Sequence, residues 1–402
     1  MSRIGVVKVR LFALSALLVL LTTSPAFALT ITTTSTPELY KDLVQKFQAA
    51  YPDIKVVHNT EGLSTWSEKL SVLLAVGEAP DVFELSWAYY GEFAQIGALL
   101  DLGPMIQRDW DLFRGADIAP AAWLGSQFNG KQIAIPSRPG HTMIYYNQEM
   151  LDAAGLDAPS PNWTWDDFTE YARKVTTGSD PTTAKYGAHN LQYWGMWSSV
   201  LFSMGGTFWN AAGSAVELNT PEGRNAFTYL QKLVHEYRVA AIPGTVPSDM
   251  WSVGRQAFNY GGTSLGQTTN FAYGVVNYPK GPAGQFNTGG VIVYAGNAAT
   301  QYPEEVWLFM QFMMSPEIQK YRASFGEVPI RGSVFRQISD PFVQTYAAGI
   351  EFMKPYTNRY YQQFNSIMNT GTINILKGTV SVEQGLENME TLLNAHASSQ
   401  SR

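Results

Sequence analysis

The chain has 402 residues, of which 15% are charged, and its formal net charge of −6 comes without any basic run. That excludes an electrostatic footprint for nucleic acid or an anionic membrane. Cysteine is absent, which excludes disulfides, thiolate metal sites, cysteine nucleophiles and a lipid-modified cysteine.

Arg3, Lys8 and Arg10, an apolar stretch over residues 11–21 and Ala26-Phe27-Ala28 read as an export signal, with cleavage expected after Ala28. The apolar stretch is shorter than the roughly 20 residues that cross a bilayer, and no later stretch is long and apolar enough. About 370 residues then remain, more than one core usually serves, so two domains are expected. Residues 29–32 alternate as a strand, and Thr36-Pro37 reads as an N-cap before a helix with Leu39, Leu43 and Phe47 on one face. A second strand follows at 54–57. Thr65-x-x-Glu68 matches a capping box opening a second helix, and residues 82–85 read as a third strand. Three strands alternating with two helices imply an α/β fold with a parallel sheet. Downstream, strands are expected at 132–136 and 143–146, a capped helix at Thr164, and helices over 221–237 and from Pro303. The small, polar residues from Ala397 onward read as disordered.

The order of several segments resembles the family 1 extracellular solute-binding proteins, the maltose-binding-protein-like receptors of ABC importers. The segments are Phe47-Gln48-Ala49-Ala50-Tyr51-Pro52-Asp53-Ile54, Leu74-Ala75-Val76-Gly77-Glu78-Ala79-Pro80-Asp81-Val82, and residues 93–102. Gly130-Lys131-Gln132-Ile133-Ala134-Ile135-Pro136, Tyr145-Tyr146-Asn147, Thr164-Trp165-Asp166-Asp167-Phe168, Thr220-Pro221-Glu222-Gly223, Pro303-Glu304-Glu305-Val306-Trp307 and Ser315-Pro316-Glu317 follow in the same order. The resemblance covers nearly the whole chain after the signal. It implies a two-lobe α/β fold of the periplasmic-binding-protein type II, with the lobes discontinuous in sequence and a ligand cleft between them. Lobe 1 is expected over 29–144 and 294–330, lobe 2 over 145–293 and 331–402, with crossings near 144–147, 291–295 and 328–336. It also implies a carbohydrate ligand, the membrane subunits of an ABC importer as partner, no catalysis and no cofactor. With the export signal and no anchoring cysteine, a periplasmic monomer is expected.

A sugar offers apolar C–H faces and rings of hydroxyls, so its site needs aromatic plates beside planar groups that make paired hydrogen bonds. Ser86-Trp87 follows the third strand and Tyr90 lies one helical turn on; for Trp87, cleft and core readings stand equal. Thr36 and Glu38 open a helix whose free amides suit an oxygen-rich ligand, although a cap and a first-turn acid explain them as well. Trp66 suits either the cleft or helix-entry packing. His141 lies in an irregular crossover segment, without a second histidine at metal-ligand spacing. Trp194 and Trp197 are one turn apart, as a stacking pair or a helical core face. Trp209, Trp251, Gly262, Thr263 and Tyr294 complete the candidates, with Arg331 as ligand contact or interlobe ion-pair partner.

A glycoside hydrolase is the rival reading, since it needs an aromatic cleft and two carboxylates. The adjacent acids Asp166-Asp167 and Glu304-Glu305 fall at expected helix starts, where the helix dipole favours acids. No phosphate loop, His-Glu-x-x-His or Gly-x-Ser-x-Gly motif is present. A two-lobe receptor for ferric iron or a polyamine is the third reading.

Overall fold

The alternating strand at the start of the chain becomes β1 (Ala28–Thr33), and the helix Pro37–Ala50 carries the chain back to a parallel neighbour, β2 (Lys55–Thr60). Leu29 faces Val56 across this pair. The computed structural model describes residues 28–34, 37–263, 269–355 and 361–400. The expected N-cap at Thr36 lies outside them. Leu39, Leu43 and Phe47 are fully buried, as their four-residue spacing requires of one helix face. A second helix, Leu63–Val76, leads to β3 (Val82–Ser86), which pairs parallel to β1 on its other edge. That helix starts earlier than the capping-box match suggests: its N-cap is Gly62, and Thr65 sits inside the first turn with its hydroxyl donating to the Gly62 carbonyl.

A short hairpin, β4 (Gln127–Phe128) with β5 (Lys131–Gln132), precedes β6 (Ile135–Pro139), so the single strand expected over 132–136 is divided. The chain then leaves the first sheet. β7 (Met143–Asn147), β8 (Tyr186–Ala188), β9 (Gln256–Gly261) and β10 (Tyr273–Val276) form a second sheet in the order β10-β7-β9-β8. After β11 (Asn287–Gly289) the chain returns through β12 (Val291–Gly296), which inserts between β3 and β6 and runs antiparallel to both. The first sheet is therefore mixed, in the order β2-β1-β3-β12-β6. β13 (Met353–Pro355) pairs parallel with β11.

Each sheet has its own core. Leu29, Phe47, Phe83, Tyr294 and Trp307 belong to the first, and Phe168, Trp197, Phe227, Phe258 and Leu376 to the second. Ile144 packs in the second core and Val291 and Val293 in the first, so the chain changes lobe at 140–142 and 289–290, a few residues from the expected boundaries. The crossing strands touch: the Gly140 amide donates to Gly290 at 3.0 Å and the Thr142 amide to Thr288 at 2.9 Å. Gly289, at φ 143, allows this approach, because a Cβ there would lie 2.5 Å from the His141 Cα.

Past residue 330 the chain does not pass to the second lobe as expected. Ile350 and Met353 lie in the first core, while Val328, Phe335 and Tyr346 join Met143 in a small cluster where the lobes meet. The helix Tyr361–Lys377 then packs into the second core through Phe364 and Met368. The last helix, Val382–Gln400, runs through the residues expected to be disordered, and Leu386, Met389 and Leu393 anchor it.

Candidate functional site

Where β3 ends, Trp87 turns toward the lobe junction and packs against both cores. Its indole N–H donates to the Gly140 carbonyl at 3.0 Å. The Trp194 ring from the second lobe lies 4.9 Å away, tilted by 54°, and the Tyr361 ring meets Trp87 edge-on at 5.3 Å. Tyr89 contacts Tyr361 at 5.5 Å and Tyr193 contacts Trp194 at 5.3 Å, so aromatic rings from three separated segments converge between the lobes. Trp87, Trp194, Tyr193 and Tyr361 remain half-buried, unlike the aromatic residues of the two cores. Glu92 lies beside them, within hydrogen-bonding reach of the Tyr361 backbone, and burial raises its carboxyl pKa.

The first-lobe rim rests on a buried charged group. Glu84 is fully buried, and its carboxylate accepts from the Thr34 amide at 2.9 Å, the Thr34 hydroxyl at 3.0 Å and the Tyr40 hydroxyl at 3.2 Å. Arg138 and Arg322 each approach it to 3.7 Å, and Arg322 also pairs with Glu327 at 2.6 Å. Two carboxylates thus balance two guanidiniums, the condition for holding such charges out of water. Burial alone would lower the Arg138 pKa, but the Glu84 and Glu327 carboxylates raise it above its ordinary value. Arg138 donates to the Thr34 hydroxyl at 3.2 Å, which fixes the loop after β1.

The predicted site residues divide sharply by burial. Trp87 and Trp194 meet at the junction. Trp66 and Trp197 are about 1% exposed within the first and second cores, so neither presents a face to a cleft. Tyr90 is buried, its hydroxyl donating to Gly125 at 2.7 Å. Tyr294 is buried in β12 and hydrogen-bonds Tyr40. Trp251 packs edge-on against Phe271 at 4.9 Å and is nearly inaccessible. His141 is buried in the crossing segment against Tyr346, at 4.7 Å, rather than facing outward. Arg331 is buried against the carbonyls of Phe113 and Arg114, with Asp117 at 3.6 Å; these partners lie in the first lobe, which corrects the interlobe ion pair. Ser86 is nearly buried at the end of β3, its hydroxyl accepting from the Ala88 amide at 3.3 Å. Trp209 packs on the edge of the second core. Glu38 is exposed in the first turn of its helix, and the Gly262 carbonyl accepts from the Tyr145 hydroxyl at 2.7 Å, with Thr263 next in the chain. Thr36 lies outside the described residues.

Residues 32–320, more than half of the chain, match the family of bacterial extracellular solute-binding proteins. The chain is a member of that family. Among curated relatives of this solute-binding protein, the arabinooligosaccharide-binding protein of Bacillus subtilis (strain 168) is 26% identical over 214 residues, 52% of this chain and 47% of that one. The chain spans about half the length of the first such relatives it matches. The solved structure of the sugar-binding protein MalE from Xanthomonas citri superposes with a TM-score of 0.81 at 18% identity, covering 93% of this chain and 98% of that one. An ABC substrate-binding protein from Listeria monocytogenes in complex with cycloalternan gives 0.77 at 23% identity, covering 92% and 99%. These likenesses establish the two-lobe fold.

For the solute-binding protein, sequence reasoning missed Tyr193, Tyr361 and Glu92. The adjacent aromatics Tyr193-Trp194 and Tyr360-Tyr361 were a usable signal, since two neighbouring aromatic side chains on one short segment seldom both enter a core. Glu92 carried none, because its significance depends on Tyr361, far away in the chain. One acid of each pair weighed for catalysis has a structural partner. Asp167 closes a capping box with Thr164, and Glu304 pairs with Arg108 at 2.9 Å.

Proposed function

We propose that this protein captures a carbohydrate of di- or oligosaccharide size between its lobes, without altering it, and delivers it to an ABC-type importer. The observation that carries the reading is the convergence of Trp87, Trp194 and Tyr361, with Glu92 beside them, at the lobe junction. Rings stack on the C–H faces of a sugar, and a partly buried carboxylate accepts from its hydroxyls. The compensated charge of Arg138 favours a neutral solute over an anionic one, because the guanidinium already faces Glu84 and Glu327. The names of the arabinooligosaccharide-binding relative and the cycloalternan complex agree with this chemistry. In this reading residues 1–28 are removed on export, the mature chain acts as a periplasmic monomer, and the importer's membrane subunits dock across both lobes.

Thermal-shift screening of the chain from Leu29 onward tests it, against arabino-oligosaccharides, maltotriose and cycloalternan, with sn-glycerol 3-phosphate, ferric iron and spermidine as contrasts. A sugar that raises the melting temperature and is recovered unchanged is the expected result. A response confined to glycerol phosphate, iron or spermidine overturns the carbohydrate assignment, and conversion of the sugar overturns the absence of catalysis.

A further inference from the structure

We infer that Trp87 is a positioning residue that couples the hinge to the cleft, and that Gly140 and Gly290 set its place. The indole is seated on two crossing strands at once. A Cβ on Gly290 would lie 2.3 Å from the Trp87 Cβ and 2.5 Å from its Cγ, distances at which something must move. On Gly140 a Cβ would lie 3.2 Å from both the Trp87 Cδ1 and the Ile292 amide nitrogen and 3.3 Å from the Gly290 carbonyl, so it would crowd the ring and the facing strand together. The same Gly140 accepts the indole N–H and donates its own amide to Gly290, so plate and crossing strands form one hydrogen-bonded unit.

The opposite side of that unit meets Trp194 and Tyr361, both packed with the second core. A rotation of the crossing strands at Gly140 and Gly290 therefore moves the indole relative to the second lobe, and a change at the indole loads the hinge. All of these contacts are between protein groups, so Trp87 holds a closed population in the absence of any solute. This rests on the reading that the lobes close on a solute, but not on which solute they take. A variant that lowers the closed population without touching the solute raises the apparent Kd by the same factor.

The chain has no cysteine, so Glu78→Cys on the first lobe and Lys174→Cys on the second, both exposed, give two unique dye positions. Single-molecule energy transfer between them, without solute, reads the closed fraction directly. Trp87→Phe keeps a ring and removes the N–H donor, and Gly140→Ala keeps the indole and its donor while crowding the ring and the strand at Gly290–Ile292. Trp87→Phe is expected to lower the closed fraction about fivefold, the factor that loss of one ordinary hydrogen bond implies, and Gly140→Ala to lower it in the same direction, with the melting temperature near that of the parent. Gly290→Ala is expected to lower it further, and if that variant fails to fold the other two decide. A closed fraction equal to the parent's in both folded variants, or a parent with no closed population, overturns the proposal. Because no sugar is present, a failed carbohydrate screen leaves this result standing, and a sugar found alongside unchanged closed fractions removes the coupling alone.

Discussion

Trp194 and Trp197 are the same residue type one helical turn apart, and spacing alone leaves them interchangeable. The fold separates them because the helix Trp194–Ser203 begins at the junction and runs into the second core. Its first residue is half-buried beside Trp87, while Trp197 meets Phe208 at 5.5 Å and is enclosed. The two alanine substitutions should accordingly have opposite signatures. Trp194→Ala is expected to weaken the affinity for the bound sugar by about 1–2 kcal/mol with little change in melting. Trp197→Ala should cost about 3–5 kcal/mol of stability and leave the affinity of the folded fraction unchanged. Calorimetric titration and urea unfolding of both variants separate the cases, and a stability loss confined to Trp194→Ala would reverse the assignment. The same logic limited the other aromatic candidates. Nothing in the neighbours of Trp66, Tyr90 or Trp251 distinguishes a ring that fills a core from one that lines a cleft.

Local motifs were more legible where the chain around them agreed. Thr164 and Thr65 both head a Thr-x-x-acid sequence, yet only Thr164 forms the box: its hydroxyl accepts from the Asp167 amide at 3.2 Å, and the Asp167 carboxylate accepts from the Thr164 amide at 2.8 Å. Gly62 competes for the N-cap role three residues before Thr65, and its extended backbone, φ −73 and ψ 132, meets the geometry of that position. Thr164→Ala should therefore destabilise by about 1 kcal/mol, whereas Thr65→Ala, at an exposed position already inside a helix, should change stability by less than about 0.5 kcal/mol. Chemical denaturation midpoints of the two variants provide the check, and equal losses would show that Thr65 caps after all. The opening β-α-β succession was readable for a related reason, since parallel order there follows from short connections between neighbouring strands. The insertion of β12 between β3 and β6 was not, because its pairing partners lie some 150 or more residues earlier and no local pattern encodes them.

The lobe boundary is a property of the whole molecule, and it decides where the protein is sensitive to acid. Sequence marked His141 as a polar residue in a crossover, with ligand contact as the consequence. The fold encloses it where Gly140–Thr142 pass between the sheets, against the Tyr346 ring and close to Asn287 and Met143. Burial pushes its pKa down to about 3, so the folded protein keeps the imidazole neutral. Burial also lowers the pKa of His58 and of His189. In the unfolded chain a histidine takes up its proton below about 6.5. As the pH falls from there toward about 3, the unfolded state binds a proton that folded His141 refuses, so stability present at neutral pH is progressively lost. One such histidine contributes a slope of roughly 1.4 kcal/mol per pH unit within that window, once the unfolded form is fully protonated. His141→Phe keeps a ring against Tyr346 and removes the titrating group, so its unfolding free energy, measured by urea titration at pH 7, 6 and 5, should fall less steeply than the parent's. His58 and His189, and toward the acid end the carboxylates of Glu61, Asp109, Asp180 and Asp249 that hydrogen bonds hold below their ordinary pKa, contribute to the slope that remains. Parallel curves for parent and variant would mean that His141 gains its proton at the same pH in the folded and unfolded states, and the enclosed hinge histidine would then have to be reached by water.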